Sequence, residues 1–597
     1  MSDSEIQAPQ RGASSRLTTV LFVLIVALLA VICYRNTLSM GFVNWDDNKL
    51  IVHNPYIRNL SADNMKAIWT GPIGETYLPL RVTSYALDYA LWGRNPAGYH
   101  LTNVILHAAA SVLVFFIVSR LAGSIIAALM AGALFAVHPV HTEAVAWASA
   151  RKDVLSTVLF LAAYLLYLHS GGARRKWGLV LVSLVAFLLS GLAKAMVATL
   201  PALVVITDVI YGDALGGGRW RKLVVVWAAY FAVGLLTAGI AVHFAASAGA
   251  ITPYHFGSAG KTALFMTWAA LYYAKTMLFP NFLSARYPYG DTSSFGVNAA
   301  LVYASPVILA AVVAVTAYLV YKARKSGSPA LKLAALGLAW FFITLLPVMN
   351  LISINVLVAD RYLYVPSVGF IAAMAAVLWH LWSEGVHIRV AGAKRWIATI
   401  ICAVLVIGFS ARTYLRNEVW RNSLALWTSV VIEFPGSLPA RLLLASALAE
   451  GRAPRYDMAL EQVDAAGEID GASGEVYLAK GKILARMERG EEAVAALQKA
   501  RELGLPGPVD VYDSYLAEAG VFESGGDAAS AAECLEKAIE VAPEHAEAYN
   551  NLGHIRQTQG DLAGAEELYR KAIAADGRFA RADYNMGLLF AQKGDIS

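Results

Sequence analysis

Long apolar runs recur along the first two thirds of the chain, near 17–34, 101–119, 123–137, 154–169, 177–193, 196–211, 222–247, 299–321, 331–350, 361–383 and 395–413. Runs this long with few charges predict membrane-spanning helices. Several fall short of the roughly 20 residues a perpendicular helix needs, which suits tilted or tightly packed spans. A twelfth run, about 262–280, mixes apolar residues with Trp268, Tyr272, Tyr273 and Lys275. Beyond about Pro439 the pattern turns polar and amphipathic. The fold class expected is all-α, a polytopic helical bundle followed by a second helical region.

That second region carries a 34-residue period: Gly553, Ala565 and Ala572 repeat Ala519, Ala531 and Ala538. Gly481, Ala493 and Ala500 show the same internal spacing, displaced by a four-residue insertion around Pro506-Gly507-Pro508, and Ala447, Ala459 and Ala466 continue it upstream. Small residues at such positions let two helices cross closely. The pattern resembles the tetratricopeptide repeat (TPR), an α-solenoid whose concave face binds peptides or proteins. The last unit begins at Ala580 and the sequence stops at Ser597, about half a repeat later.

Composition agrees with a membrane protein. The chain is 58% hydrophobic and 15% charged, where soluble domains carry roughly 25% charged residues. The net charge of +5 comes with no basic aromatic patch, so no nucleic-acid partner is expected. Cys33, Cys402 and Cys534 are far apart and offer neither a metal-ligand spacing nor a disulfide framework.

The placement of basic residues sets an orientation. With residues 1–16 as a cytoplasmic tail and 17–34 as an uncleaved anchor, Arg120, Arg174, Arg175, Lys176, Arg219, Arg221 and Lys222 fall inside. Keeping Lys322, Arg324, Lys325, Lys332, Arg389, Lys394 and Arg395 inside as well requires that 262–280 lie in the outer leaflet without crossing. Eleven crossings over 17–415 result. They put loops 35–100, 138–153, 248–298 and 351–360, and the region 416–597, on the extracytoplasmic side.

Three outer segments hold the chemistry. Asn44-Trp45-Asp46-Asp47 sits about ten residues past the first span, where two carboxylates beside a bilayer are costly unless something binds or reacts there. Farther along the same loop come Arg81 and then His100, Asn103 and His107, which share one helix face. Helix–helix hydrogen bonding accounts for that face as readily as a ligand does, and no metal site is expected. The second segment runs His138-Pro139-Val140-His141-Thr142-Glu143 to Arg151-Lys152-Asp153. Its basic residues suit a lipid phosphate, or Lys152 and Asp153 simply pair. The third is Asp360-Arg361-Tyr362-Leu363-Tyr364, either a phosphate grip or an aromatic belt with a snorkelling cation. Lys194 adds a cation between two apolar runs.

Together with the repeats, these segments resemble the transmembrane and TPR-containing protein O-mannosyltransferases, over nearly the whole chain. Trp45-Asp46-Asp47, His138–Asp153 and Asp360–Ser367 look like the family's three loop motifs, although Asp360 stands where Glu is expected. The resemblance implies a GT-C class glycosyltransferase, and the short loops, compact ends and lack of a long lumenal insertion suggest a bacterial relative. It would move a sugar, mannose, from a polyprenyl-phosphate donor to Ser/Thr hydroxyls of an extracytoplasmic protein held by the repeats. It also implies an inverting mechanism with no metal or other cofactor. Asp46 or Asp47 would be the general base, with Arg151, Lys152, Arg361 and Lys194 near the donor phosphate. His138, His141, Glu143, Tyr362, Tyr364, Arg81 and His100 would position donor or acceptor. The alternatives are a membrane-anchored TPR scaffold for envelope assembly and a lipid-linked-sugar transporter.

Overall fold

The computed structural model describes residues 13–73, 76–171, 176–212, 220–247, 251–287, 299–354, 356–383, 393–450 and 453–594. Most of the tail 1–16, the basic residues Arg174, Arg175, Arg219 and Arg389, and 248–250, 288–298 and Asn355 of the outer loops lie outside the described residues. The described chain is helical throughout, with a single isolated β-bridge between Ile73 and Thr76. It forms two compact units, Met1–Ser429 and Val430–Ser597.

Each of the eleven apolar runs coincides with a helix. Among the described residues, eight helices are long and apolar enough to cross a membrane, or nine if the bent pair Ile125–Val137 and Pro139–Ala146 counts as one span. The shorter apolar helices Trp177–Ala193 and Ala195–Tyr211 account for the other two runs. The helix Ala259–Leu278 is not among the eight. The protein is an integral membrane protein.

Local chemistry fixes the helix ends. Pro96 opens Pro96–Ala122, where the Asn95 side chain accepts the Ala97 N–H. Pro329 and the Ser328 hydroxyl, which accepts from Leu331, do the same for Pro329–Leu345. The 48° bend in the bent pair falls at His138-Pro139. Proline cannot donate into the preceding turn, and His138 Nδ1 instead accepts the Val140 N–H at 3.3 Å. That break turns the chain out of its helix and sets up the second loop segment.

In the first unit the central helices Pro96–Ala122, Arg151–Ser170, Pro329–Leu345 and Pro366–Ser383 are about half buried. Leu223–Ser247, Ala299–Lys325 and the helix beginning at Arg395 keep most of their apolar side chains on the outside, as lipid-facing helices do. Gly337 and Gly369 mark the closest crossing. A Cβ on Gly337 would sit 2.4 Å from the Gly369 carbonyl, and one on Gly369 would sit 2.5 Å from that of Gly337. Backbone-to-backbone contact of this kind is the small-residue packing that membrane helices use.

The second unit is a run of helix pairs, Leu438–Glu450 with Tyr456–Ile469, Gly474–Arg486 with Gly490–Leu503, Pro508–Ser524 with Ala528–Val541, and Ala546–Thr558 with Leu562–Ala575, followed by Ala580–Lys593. Ala459, Ala493, Ala531 and Ala565 are fully buried, as are Ala466, Ala500, Ala538 and Ala572. The period read in the sequence is therefore the period of the packing. At Gly481 and Gly553 a Cβ would meet Leu497 at 2.6 Å and Tyr569 at 2.8 Å, so the large partner occupies the space the glycine vacates.

Candidate functional site

The three loop segments meet in the first unit. Asp47 is buried, with 1% of its surface exposed. Its Oδ2 accepts the Val43 N–H at 2.9 Å, and its Oδ1 accepts the Ser149 N–H at 2.9 Å together with the Ser149 hydroxyl. The carboxylate thus closes its own loop and ties it to the second segment. Burial pushes the carboxyl up to about 6. The donors from Ser149 and Val43 oppose the rise, and the neighbouring Asp46 adds to it.

Asp46 differs from its neighbour. It is partly exposed, and among the described residues no hydrogen bond or ion pair holds its carboxylate. Its charge acts on Arg81 and Lys152. Arg81 is buried, donates from Nη2 to Thr76 Oγ1 at 3.2 Å and leaves Nε without a hydrogen-bond partner among the described residues. Lys152 likewise has no hydrogen-bonding or ion-pairing partner among the described residues, and it lies in the field of Arg81, Asp46, Arg361 and Asp153. Asp153 pairs through Oδ1 with Lys194 rather than with Lys152, and its buried Oδ2 has no hydrogen-bond partner among the described residues.

Arg361 is fixed by Glu143, whose Oε2 accepts the Arg361 backbone N–H at 2.8 Å while Oε1 pairs with the guanidinium. The same guanidinium lies 5.6 Å from the Trp147 ring centroid and 5.4 Å from that of Tyr362. Asp153, Lys194, Arg361, Tyr362 and Tyr364 line a narrow cleft that also contains Met196, Val197 and Val365. Its lining mixes charged and aromatic side chains with apolar ones.

Other side chains singled out in the sequence are taken up by structural contacts. Arg151 is fully buried and committed: Nη2 donates to Asp88 Oδ2 at 2.6 Å and to the Tyr99 carbonyl at 2.8 Å, and Nε donates to Asn103 Oδ1. His138 donates to the Met277 carbonyl at 3.0 Å. His141 donates to the Phe135 carbonyl at 2.9 Å, with its other nitrogen 2.8 Å from Ser367 Oγ. Tyr364 binds His107 at 2.7 Å, and His100 is buried against the backbone of Gly41 and Ala146. These side chains brace the segments against one another. Among the described residues no three His, Cys, Asp or Glu side chains come together as a metal site would require.

Several contributors had no signal in the sequence. Ser149 belongs to an Ala-rich stretch and is one small residue among many, and Asp88 sits inside an ordinary amphipathic helix. Trp147 stacks on Trp45 with centroids 4.5 Å apart and planes 13° apart, and Trp420 stacks on Trp147 at 5.4 Å. The aromatic content was visible, but a partner more than 250 residues away was not.

A tetratricopeptide repeat family model matches residues 516–578 and 552–597. Protein O-mannosyl-transferase Tmtc1 of Drosophila melanogaster is 39% identical over 190 residues, 30% of this chain and 22% of that protein. Protein O-mannosyl-transferase F38B6.6 of Caenorhabditis elegans is 28% identical over 421 residues, 68% of this chain and 57% of that protein. The chain thus spans less than two thirds of the curated relatives it matches. Among solved structures, YrrB, described as a TPR protein with an unusual peptide-binding site, covers 29% of this chain and 85% of its own at 22% identity and a TM-score of 0.23. The archaeal oligosaccharyltransferase AglB from Archaeoglobus fulgidus covers 75% of this chain and 60% of its own at 15% identity and a TM-score of 0.41. The chain is related to the transmembrane and TPR-containing protein O-mannosyltransferases, the family its loop motifs resemble.

Proposed function

We propose that this chain, as a relative of those O-mannosyltransferases, is a membrane glycosyltransferase of the GT-C class. In this reading it transfers a sugar, mannose, from a polyprenyl-phosphate donor to a Ser or Thr hydroxyl of an extracytoplasmic protein, and the TPR unit holds that acceptor. The observation that carries the reading is that one unengaged carboxylate, Asp46, acts on Lys152 together with Arg81 and Arg361, while Arg361 and Lys194 line a cleft with apolar residues.

The chemistry needs these parts. The acceptor oxygen forms a bond to the anomeric carbon as the bond from that carbon to the phosphate oxygen breaks, which inverts the centre in one displacement. The hydroxyl proton goes to a carboxylate, and polyprenyl phosphate leaves with one more negative charge than it had as a diester. Asp46 is the base in this reading. It is partly exposed and unengaged, whereas three donors occupy the Asp47 oxygens, which suits Asp47 to holding the loop. Lys152, Arg361 and Lys194 stabilise the leaving phosphate, a role fixed cations fill with no metal required. Arg151 supports them from behind by clamping the helix start to Asp88.

The test uses the purified protein in lipid, supplied with polyprenyl-phosphate mannose and Ser/Thr-containing protein acceptors. Sugar should pass to the acceptor hydroxyls, and Asp46→Asn should abolish the transfer. Failure of the native protein with this donor, or equal transfer by Asp46→Asn, overturns the reading.

A further inference from the structure

Residues 417–427 connect the helix Ala393–Asn417 to the helix Ser423–Glu433 and fold against the acidic loop. Asn417 Nδ2 donates to the Cys33 carbonyl and to Asn36 Oδ1, both at 2.9 Å, and Asn36 Nδ2 donates to Glu418 Oε1 at 2.8 Å. Farther along, the Gly41 N–H donates to the Arg421 carbonyl at 3.0 Å and the Asn44 N–H donates to Ser423 Oγ at 2.8 Å. Trp427 Nε1 donates to Asn44 Oδ1 at 2.7 Å. Asn44 is thus held by both its backbone and its side chain, two residues before Asp46.

The aromatic rings reinforce these bonds. Trp45 stacks on Trp420 at 6.4 Å and meets Trp427 edge-on at 5.4 Å, while its other contact is Trp147. Trp420 and Trp427 are buried. Offset-stacked and edge-to-face pairs at these separations add to what burial alone contributes. The residues on both sides of Asp46 are therefore fixed, Trp45 by the ring stack and Asp47 by Val43 and Ser149.

We infer that residues 417–427 form a strap that sets the position of the acidic loop, with Ser423 and Trp427 as positioning residues for Asp46. The inference rests on the glycosyl-transfer reading for its catalytic meaning, but its geometric content stands apart from it. The donor-side cations Lys152, Arg361 and Lys194 belong to other elements, and Ser423 and Trp427 reach the loop through Asn44 and Trp45, so loosening these two contacts moves the base while the donor grip keeps its own partners. Misplacing a reacting group by an ångström is costly to turnover and leaves binding of a separately held substrate unchanged.

The experiment compares the full-length native protein in lipid nanodiscs with Ser423→Ala, Ser423→Thr, Trp427→Phe and the Ser423→Ala/Trp427→Phe double variant. Two quantities are read, amide hydrogen exchange over 41–49 and the kinetics of transfer from polyprenyl-phosphate mannose. In the double variant, exchange of the 43–47 amides should rise while that of the helix Pro366–Ser383 is unchanged. Its kcat should fall about tenfold with donor KM within about twofold of native. Ser423→Thr, which keeps the hydroxyl, should recover most of the loss seen in Ser423→Ala. Unchanged protection of 43–47 in the double variant overturns the strap, as does a parallel loss of kcat and donor affinity. If the native protein transfers no sugar, the glycosyl-transfer reading falls, and the exchange result alone decides the strap.

Discussion

Asp47 ionises in a place that resists it. Its carboxyl titrates at about 6 in the fold, against about 4 in an unfolded chain. The ionised form therefore opposes folding above pH 6. The opposition fades as pH falls through 6 toward 4, where both states are protonated. Asp47→Asn lacks this titration, so the native protein should gain stability relative to that variant by on the order of 1 kcal/mol between about pH 7.5 and pH 5. Thermal unfolding of both proteins at the two pH values measures it, and a constant difference contradicts the assignment. Asp46→Asn, by contrast, should cost about 10²-fold or more in transfer, the usual worth of a general base, with little change in melting temperature because its carboxylate is unengaged. The acidic pair was legible because two charges just past an apolar span call for an explanation. The division of labour between them was not, since it depends on Ser149, which reaches Asp47 from 102 residues away.

At the scale of elements, the helix crossing at Gly337 and Gly369 sets the height of the third segment. The helix Pro366–Ser383 begins immediately after Asp360–Tyr364, and Trp340 Nε1 donates to the Val365 carbonyl at 3.1 Å beside the crossing. A side chain at 369 would collide with the Gly337 carbonyl at 2.5 Å and with Trp340 Cβ at 2.5 Å. Both are rigid, so the helices must part. Gly369→Val should destabilise the first unit by about 1–3 kcal/mol and weaken donor binding, since Arg361 lies in the short turn that leads into that helix. A thermal melt and a donor KM measured on that variant check both effects, and a native KM would show that the crossing does not set Arg361. Hydrophobic length made the helices legible, as it did for all eleven apolar runs, and the 34-residue spacing of small residues made the repeats legible. Side-chain commitments between elements escaped that reading. Arg151 looked like a cation free for phosphate because nothing in Arg-Lys-Asp marks Asp88, 63 residues upstream, as its partner.

For the whole molecule, the proposed transfer makes a demand on sidedness. A lipid-linked donor and a protein acceptor can meet at Asp46 only if the loops and the repeats share a compartment. The charge distribution expects this, with eleven crossings and the run 262–280 held out of the count. The helix Ala259–Leu278 contains Lys261 and Lys275 and does not rank with the spans, whereas Trp177–Ala193 and Ala195–Tyr211 are short but apolar. Cysteines introduced at exposed positions decide the question in a background where Cys33, Cys402 and Cys534 are changed to alanine. Leu60→Cys in the first loop and Ala472→Cys in the repeat unit should react with a membrane-impermeant maleimide on intact cells. Gly327→Cys, next to Arg324 and Lys325, should react only after permeabilisation. If Ala259–Leu278 crosses instead, Leu60 and Gly327 fall on the same side and label together in intact cells. Ala472 also changes sides relative to Gly327 only if the number of crossings after Gly327 differs from the three assigned to Pro329–Leu345, Pro366–Ser383 and Ala393–Asn417. Labelling at the three positions therefore tests the crossing count on each side of residue 327 separately. It also tests whether the repeats share a compartment with the carboxylate they are proposed to serve.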